Sequence, residues 1–223
     1  MTGMLKIAPE GWPFVAVGTL SALALTAVSR YGGGMVGTAA ALLALAGVAL
    51  TLFVLYFFRD PERATPDRPD AFISPADGRI IVVQEVVESR YFNAPRLQIS
   101  IFMSPANVHV NRAPCAGTVV STRHNTGRHF AAYREGASLR NENSEMVLET
   151  DHGRILVRQV AGFIARRTVC RVGPGAVLRQ GERFGIIKFS SRLDVYLPAG
   201  STPQVAIGDR VRAGETILAA CRI

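Results

Sequence analysis

Two adjacent serines, Ser190 and Ser191, interrupt a strand-like run in the stretch Arg183-Phe-Gly-Ile-Ile-Lys-Phe-Ser-Ser-Arg-Leu-Asp-Val-Tyr-Leu-Pro198. A serine hydroxyl is a weak nucleophile and needs a nearby base or a strained target. Otherwise, two small hydroxyl residues between strands form a turn. His109 sits among apolar neighbours in Met103-Ser-Pro-Ala-Asn-Val-His109, with Asn107 and Asn111 two positions to either side. On a strand those three would share a face, setting an imidazole between two amides. Asp77 lies in the turn-like Ser74-Pro-Ala-Asp-Gly78. The commonest use of Asp-Gly is a local turn capped by the carboxylate; a catalytic carboxylate is the alternative. His124, His129 and His152 lie in polar, loop-like contexts.

Several chemistries find no support. Cys115, Cys170 and Cys221 are scattered and odd in number, forming neither a metal cluster nor a disulfide framework. No metal site, P-loop or dinucleotide fingerprint occurs, and Ser190-Ser191 lacks a nucleophile-elbow context. The formal charge is +8, almost all of it arginine, since Lys6 and Lys188 are the only lysines. Such a balance suits anionic lipid or phosphate. No aromatic-interleaved basic tract points to nucleic acid.

The elements that must position these residues fall into two parts. Residues 11–29 and 35–58 carry no charge and are separated by Arg30-Tyr-Gly-Gly-Gly34. Each is long enough to span hydrocarbon as a helix. Small residues such as Gly18, Ala22 and Gly47 would let the two approach closely. A cleaved signal followed by one span is the competing reading, but no small-x-small cleavage site follows the first run. Residues 1–59 are therefore expected to form a membrane-anchoring helical hairpin. Arg59, Arg63 and Arg68 come after it, against Arg30 alone in its turn. That asymmetry places the C-terminal domain on the cytoplasmic side of the cell (inner) membrane. Residues 60–70, rich in proline and charge, form a linker.

Residues 71–223 show short β-rich runs bounded by Gly, Pro and Asn: 79–83, 96–102, 117–122, 145–150, 154–160, 183–189, 193–197 and 216–220. Residues 161–170 are the best helix candidate. The expected fold is a mainly β catalytic domain with one or two short helices, preceded by a two-helix transmembrane hairpin. An internal echo links Gly175-Ala-Val-Leu-Arg-Gln-Gly-Glu-Arg-Phe-Gly185 with Ile207-Gly-Asp-Arg-Val-Arg-Ala-Gly-Glu-Thr-Ile217. Each is similar to the hairpins of barrel-sandwich-hybrid domains that carry biotin or lipoate. A carrier role fails, because Lys188 lies inside an apolar run rather than at a hairpin tip. A barrel-sandwich adaptor of export pumps would want coiled-coil heptads, which are lacking.

Taken together, Ser74-Pro-Ala-Asp-Gly78, Met103-Ser-Pro-Ala-Asn-Val-His109, Ala161-Gly-Phe-Ile-Ala-Arg-Arg167, Gly181-Glu-Arg-Phe-Gly-Ile-Ile-Lys-Phe189 and Ser191-Arg-Leu-Asp-Val-Tyr-Leu-Pro198 resemble the phosphatidylserine decarboxylase proenzymes. The resemblance is closest to the short, archaeal-type-like subfamily with a hydrophobic N-terminal hairpin, and it covers residues 60–223. It implies a chain that cuts itself between Ser190 and Ser191, giving a large subunit 1–190 and a small subunit 191–223. Ser191 would become a pyruvoyl group, the cofactor. Phosphatidylserine would form a Schiff base with it and lose CO2 to give phosphatidylethanolamine. Asp77 matches the family aspartate that supports cleavage, and His109 the active-site histidine. Arg166, Arg167 and Arg192 are the candidates for the substrate phosphate. The implied partners are phospholipid and membrane, with the large and small subunits of one proenzyme held together; a homodimer paired through the β domain is compatible with the sequence but not read from it. Two departures stand out. Ser190 replaces the usual glycine before the processed serine, and glycine reaches backbone geometries that a Cβ resists. Arg112 stands where longer relatives carry a second histidine, leaving the cleavage base to His109 or, more remotely, His124 or His129. A processing-defective homologue that binds phospholipid without turnover is the alternative that Ser190 motivates.

Overall fold

The structure, a computed structural model, describes residues 6–128, 130, 140–162, 167–188 and 191–221. Two compact units divide between Glu62 and Arg63.

The first unit is a pair of helices, α1 (Trp12–Tyr31) and α2 (Gly34–Phe57). Helix α1 ends at Gly32, and Gly34 opens α2 at φ +64°, a left-handed conformation that glycine tolerates best. The small residues do what their size allows: Gly18 packs against Thr51, and Gly47 against Ala22. Many of the larger apolar side chains point outward; Leu20, Leu23, Leu42, Leu45 and Leu50 are all exposed, whereas Val54 and Phe57 are buried. Both helices are long and apolar enough to cross a membrane.

The second unit is mainly β. Its strands are β1 (Ala71–Ile73), β2 (Gly78–Glu88), β3 (Ala94–Met103), β4 (Val110–Arg112), β5 (Gly117–Asn125), β6 (Asn143–Glu149), β7 (Ile155–Ala161), β8 (Thr168–Cys170), β9 (Val177–Leu178), β10 (Arg183–Ile187), β11 (Ser191–Pro198), β12 (Thr202–Pro203), β13 (Arg210–Val211) and β14 (Ile217–Ala220). An eight-stranded antiparallel sheet runs β13-β2-β3-β11-β7-β6-β5-β9. Two three-stranded sheets, β1-β14-β12 and β4-β10-β8, accompany it. One face of the large sheet carries Ile99, Ile101, Val157, Leu193, Val195 and Leu197, which share a core with Phe72, Phe184 and Leu218 from the small sheets. Alternation along each strand sends Gln98, Ser100, Arg158, Arg192 and Asp194 to the other face, where they too are buried.

Every β-rich run read from the sequence is a strand, extended or trimmed at its ends. The helix expected over residues 161–170 is corrected at both its ends, residues 163–166 lying outside the described ones: Ala161 closes β7 and Thr168–Cys170 is β8, paired with β10. Thr168 and Val169 are β-branched and lose less in a strand than in a helix. Both segments of the internal echo are a short strand, a glycine turn and a second strand. Gly181 (φ +77°) and Gly214 (φ +78°) hold the turns before Glu182 and Glu215.

Candidate active site

Register collects the sequence-picked residues at one end of the large sheet. Ser191 opens β11, the central strand between β3 and β7, opposite Met103 on one side and Ala161 on the other. Met103 ends β3, and the chain then turns through residues 104–109 to reach His109. The backbone of His109 accepts a hydrogen bond from Ile187 N at 3.2 Å, and Ile187 ends β10, four residues before Ser191. Asp77 directly precedes β2, whose Arg79 pairs with Phe102 on β3. Asp77 thus lies two strands from Ser191, roughly 10 Å by ordinary strand spacing.

Ser191 is fully buried on the core face. Its hydroxyl donates to Met103 Sδ at 3.2 Å. A thioether is a weak acceptor and not a base, so the contact orients the hydroxyl without activating it. His109 is also fully buried, with Nδ1 3.0 Å from the carbonyl of Asn107. A carbonyl only accepts, so Nδ1 carries the proton and Nε2 is the basic nitrogen of the neutral ring. Asn107 corrects an expectation. It is not on a strand face with His109; its Oδ1 accepts from Ser104 N and Ser104 Oγ, closing a turn around Pro105. Proline fixes φ and favours that turn over a continued strand.

Asn111, on β4, does face the site. It is fully buried, and its Nδ2 lies 4.0 Å from Met103 Sδ. Its Oδ1 accepts from Gln159 Nε2 at 2.8 Å. Gln159, on β7, donates from the same nitrogen to Val169 O at 3.3 Å, and its Oε1 is buried with no hydrogen-bond partner among the described residues. An unmet buried acceptor costs on the order of 1–3 kcal/mol. Thus Met103, Asn111 and Gln159 form a buried layer beneath Ser191. Sequence reading passed over Met103 and Gln159, which look like core residues until register places them.

Asp77 is nearly buried. Arg63 Nη2 donates to both its oxygens, at 3.1 and 2.9 Å, and Ala213 N donates to Oδ1 at 2.8 Å. These partners come from the start of the second unit and from near the C-terminus, so the carboxylate is no local turn cap. Arg63 also reaches Glu215 at 3.5 Å. Arg112, in place of a second histidine, is buried and donates to Gly181 O at 3.0 Å.

The arginine candidates fare differently. Arg192 is buried on the face opposite Ser191, donating to Asp194 at 2.5 Å and to Ser100 Oγ at 2.9 Å. Arg167 is exposed, and its carbonyl accepts from Lys188 N at 3.2 Å. Arg166, Ser190 and His129 lie outside the described residues. His124 is half exposed beside a pocket of about 310 Å³ that Ser144 and Thr168 also line. Its Nδ1 is 3.0 Å from Ser144 Oγ, which is 2.7 Å from Thr168 Oγ1. Glu142, which pairs with His124 at 3.8 Å, lies beyond Ala161 in the row of Ser191, again two strands away. The cysteines offer no reactive thiolate: burial pushes the Cys115 thiol up to about 12 and Cys221 to about 11, and raises Cys170. Among the described residues, no cluster of His, Cys, Asp or Glu could hold a metal ion.

Comparison with known proteins bears on this geometry. The family model for phosphatidylserine decarboxylase matches residues 50–219. The phosphatidylserine decarboxylase proenzyme of Desulfotalea psychrophila is 46% identical over 215 residues, covering 96% of each chain. That of Oleidesulfovibrio alaskensis is 43% identical, covering 96% of this chain and 94% of its own. That of Geobacter sulfurreducens is 44% identical, covering 95% of each. With a buried serine opening the central strand, and with likeness running nearly end to end, the chain belongs to the phosphatidylserine decarboxylase family.

Proposed function

We propose that this chain is a membrane-bound, self-processing decarboxylase that turns phosphatidylserine into phosphatidylethanolamine and CO2. Beyond family membership, one observation carries the reading: Ser191 is buried at the first position of a strand held on both sides, at the sheet end where Asp77 and His109 also lie. In this reading Ser191 Oγ attacks the carbonyl carbon of residue 190, and the peptide C–N bond gives way to an ester. β-Elimination leaves the former Oγ on residue 190 as part of its carboxylate. Residue 191 then takes up water, releases ammonia and becomes the pyruvoyl end of the fragment 191–223.

The residues present fit such a group. Met103 Sδ tolerates either a hydroxyl or a methyl against it, whereas a carbonyl or carboxylate there would bind the first strongly and reject the second. Strand pairing of β11 to β3 and β7, with the bond from Ala213 N to Asp77, keeps the small fragment in place after the cut. The pyruvoyl carbonyl, joined to the substrate amine, supplies the electron sink for the pair left behind as CO2 departs. His109 Nε2, the basic nitrogen, takes up a proton from water and then passes it to the substrate carbon, while Asn107 O fixes the ring through Nδ1–H. Asp77 is a positioning group of the uncut chain, tied to Arg63. Arg167, exposed beside β8, remains available to a phosphate; Arg192 is taken by Asp194. The helical hairpin anchors the enzyme, with the excess of arginine after it on the cytoplasmic face.

The test uses the full chain in detergent micelles containing phosphatidylserine. Wild type should release CO2, and Ser191→Ala should release none. A wild-type chain that stays uncut and silent would favour the processing-defective alternative and defeat the proposal.

A further inference from the structure

Gln159 lies on β7 two residues before Ala161, the partner of Ser191, and so on the same sheet face. Diagonal neighbours on a face are roughly 7–8 Å apart, within reach of a long side chain. The amide is fixed in orientation, because Nε2 donates to two carbonyl oxygens, Asn111 Oδ1 and Val169 O. Oε1 is therefore the other end of the amide, buried and without a hydrogen-bond partner among the described residues. Space is set aside for this amide. A Cβ at Gly185 would stand 2.9 Å from Gln159 Nε2 and would also strike Val169 O. Through Asn111 and Met103, the amide is linked to Ser191 Oγ. A buried acceptor with no donor among the described residues, on the face and at the end of the sheet where Ser191 lies, calls for an N–H from a ligand.

We propose that Gln159 Oε1 accepts an N–H from the primary amine of the aminophospholipid headgroup as that amine joins the carbonyl derived from Ser191. This rests on the reading given under Proposed function. The substrate ammonium brings three hydrogens. Its nitrogen bonds the carbonyl carbon, two hydrogens leave with the carbonyl oxygen as water, and the third remains for Gln159 Oε1. A neutral amide oxygen suits this task, since it accepts without competing for the proton.

Two variants test it. Gln159→Met keeps the length and removes the acceptor; Gln159→Asn keeps the amide and shortens its reach. In each, the carbonyl of the small fragment is probed twice by intact mass. Borohydride reduces it without any N–H. Glycerophosphoethanolamine with cyanoborohydride links the amine nitrogen to the same carbon. Both variants should take up hydride at the wild-type rate, and amine adduct formation should slow about tenfold, the worth of one hydrogen bond. Adduct formation at the wild-type rate, or equal loss of both reactions, would overturn the proposal. Uncut chains in both variants would also overturn it, by making Gln159 a residue of processing. A wild-type chain that neither cleaves nor releases CO2 is a different result and counts against the proposed function instead.

Discussion

Replacing Asp77 by asparagine should cost about 2–4 kcal/mol of stability, several times the worth of an exposed ion pair. The magnitude comes from the contacts. The Asp77 and Arg63 side chains are only 12% and 10% exposed, with Arg63 Nη2 at 2.9 and 3.1 Å from the two oxygens. Removing one partner of a buried pair costs about 3–5 kcal/mol, mostly because the other charge is stranded. Asparagine softens this, since its oxygen still accepts from Ala213 N, and Arg63 keeps Glu215 at 3.5 Å. Asp77→Ala forfeits the amide contact too, adding about 1 kcal/mol. The assay is urea unfolding of the full chain in detergent, followed by circular dichroism, in a Ser191→Ala background so that every molecule is uncut. Arg63→Met and the double variant complete a cycle, expected to give a coupling of about 2 kcal/mol or more. A loss below about 1 kcal/mol with negligible coupling would refute the clamp, placing the pair with exposed ones.

Two further outcomes are expected. His109→Gln should lower CO2 release on the order of 10²–10⁴-fold, the range for a positioned proton donor; turnover near wild type would remove His109 from the mechanism. Glu145 governs a pH effect. Burial opposes its charge, but the Tyr91 hydroxyl, Arg158, Asn125 and Arg90 outweigh it and hold its pKa below the usual carboxylate range. A depressed folded value means this stability is present above the ordinary carboxylate range and is lost as pH falls through the folded value. Tyr91 runs the other way: burial first, then its bond to Glu145, pushes its pKa from 10.0 to about 12, so its share is present below pH 10 and lost as pH rises through about 12. Glu145→Gln should therefore flatten the acid limb of a stability–pH curve and cost about 3–5 kcal/mol at neutral pH, since Arg158 is left buried; an unchanged limb would contradict this.

Much of the architecture was legible because its signals are local. The uncharged runs and the β-branched segments announce helices and strands by composition. What escaped depends on distant partners. Strands β9, β12 and β13 are two residues long and carry no periodicity. The proline turn took Asn107 off the face it seemed to share with His109. Asp77 looked like a local cap, yet its partners lie 14 and 136 positions away in the sequence. Met103 and Gln159 read as one more apolar and one more polar strand residue until pairing set them beside Ser191. Arg192, a candidate for the substrate phosphate, directly follows Ser191, but neighbouring strand residues face opposite ways, and its charge serves Asp194.

The central claim is that the chain cuts itself before Ser191. Intact-mass analysis of the purified full chain, run denatured, tests this directly. The expected result is a large fragment ending at Ser190 and a small one spanning 191–223, lacking a free N-terminal amine and carrying the mass of a pyruvoyl end. A single uncut chain, or a small fragment beginning with an unmodified amino acid or at residue 190, would contradict it.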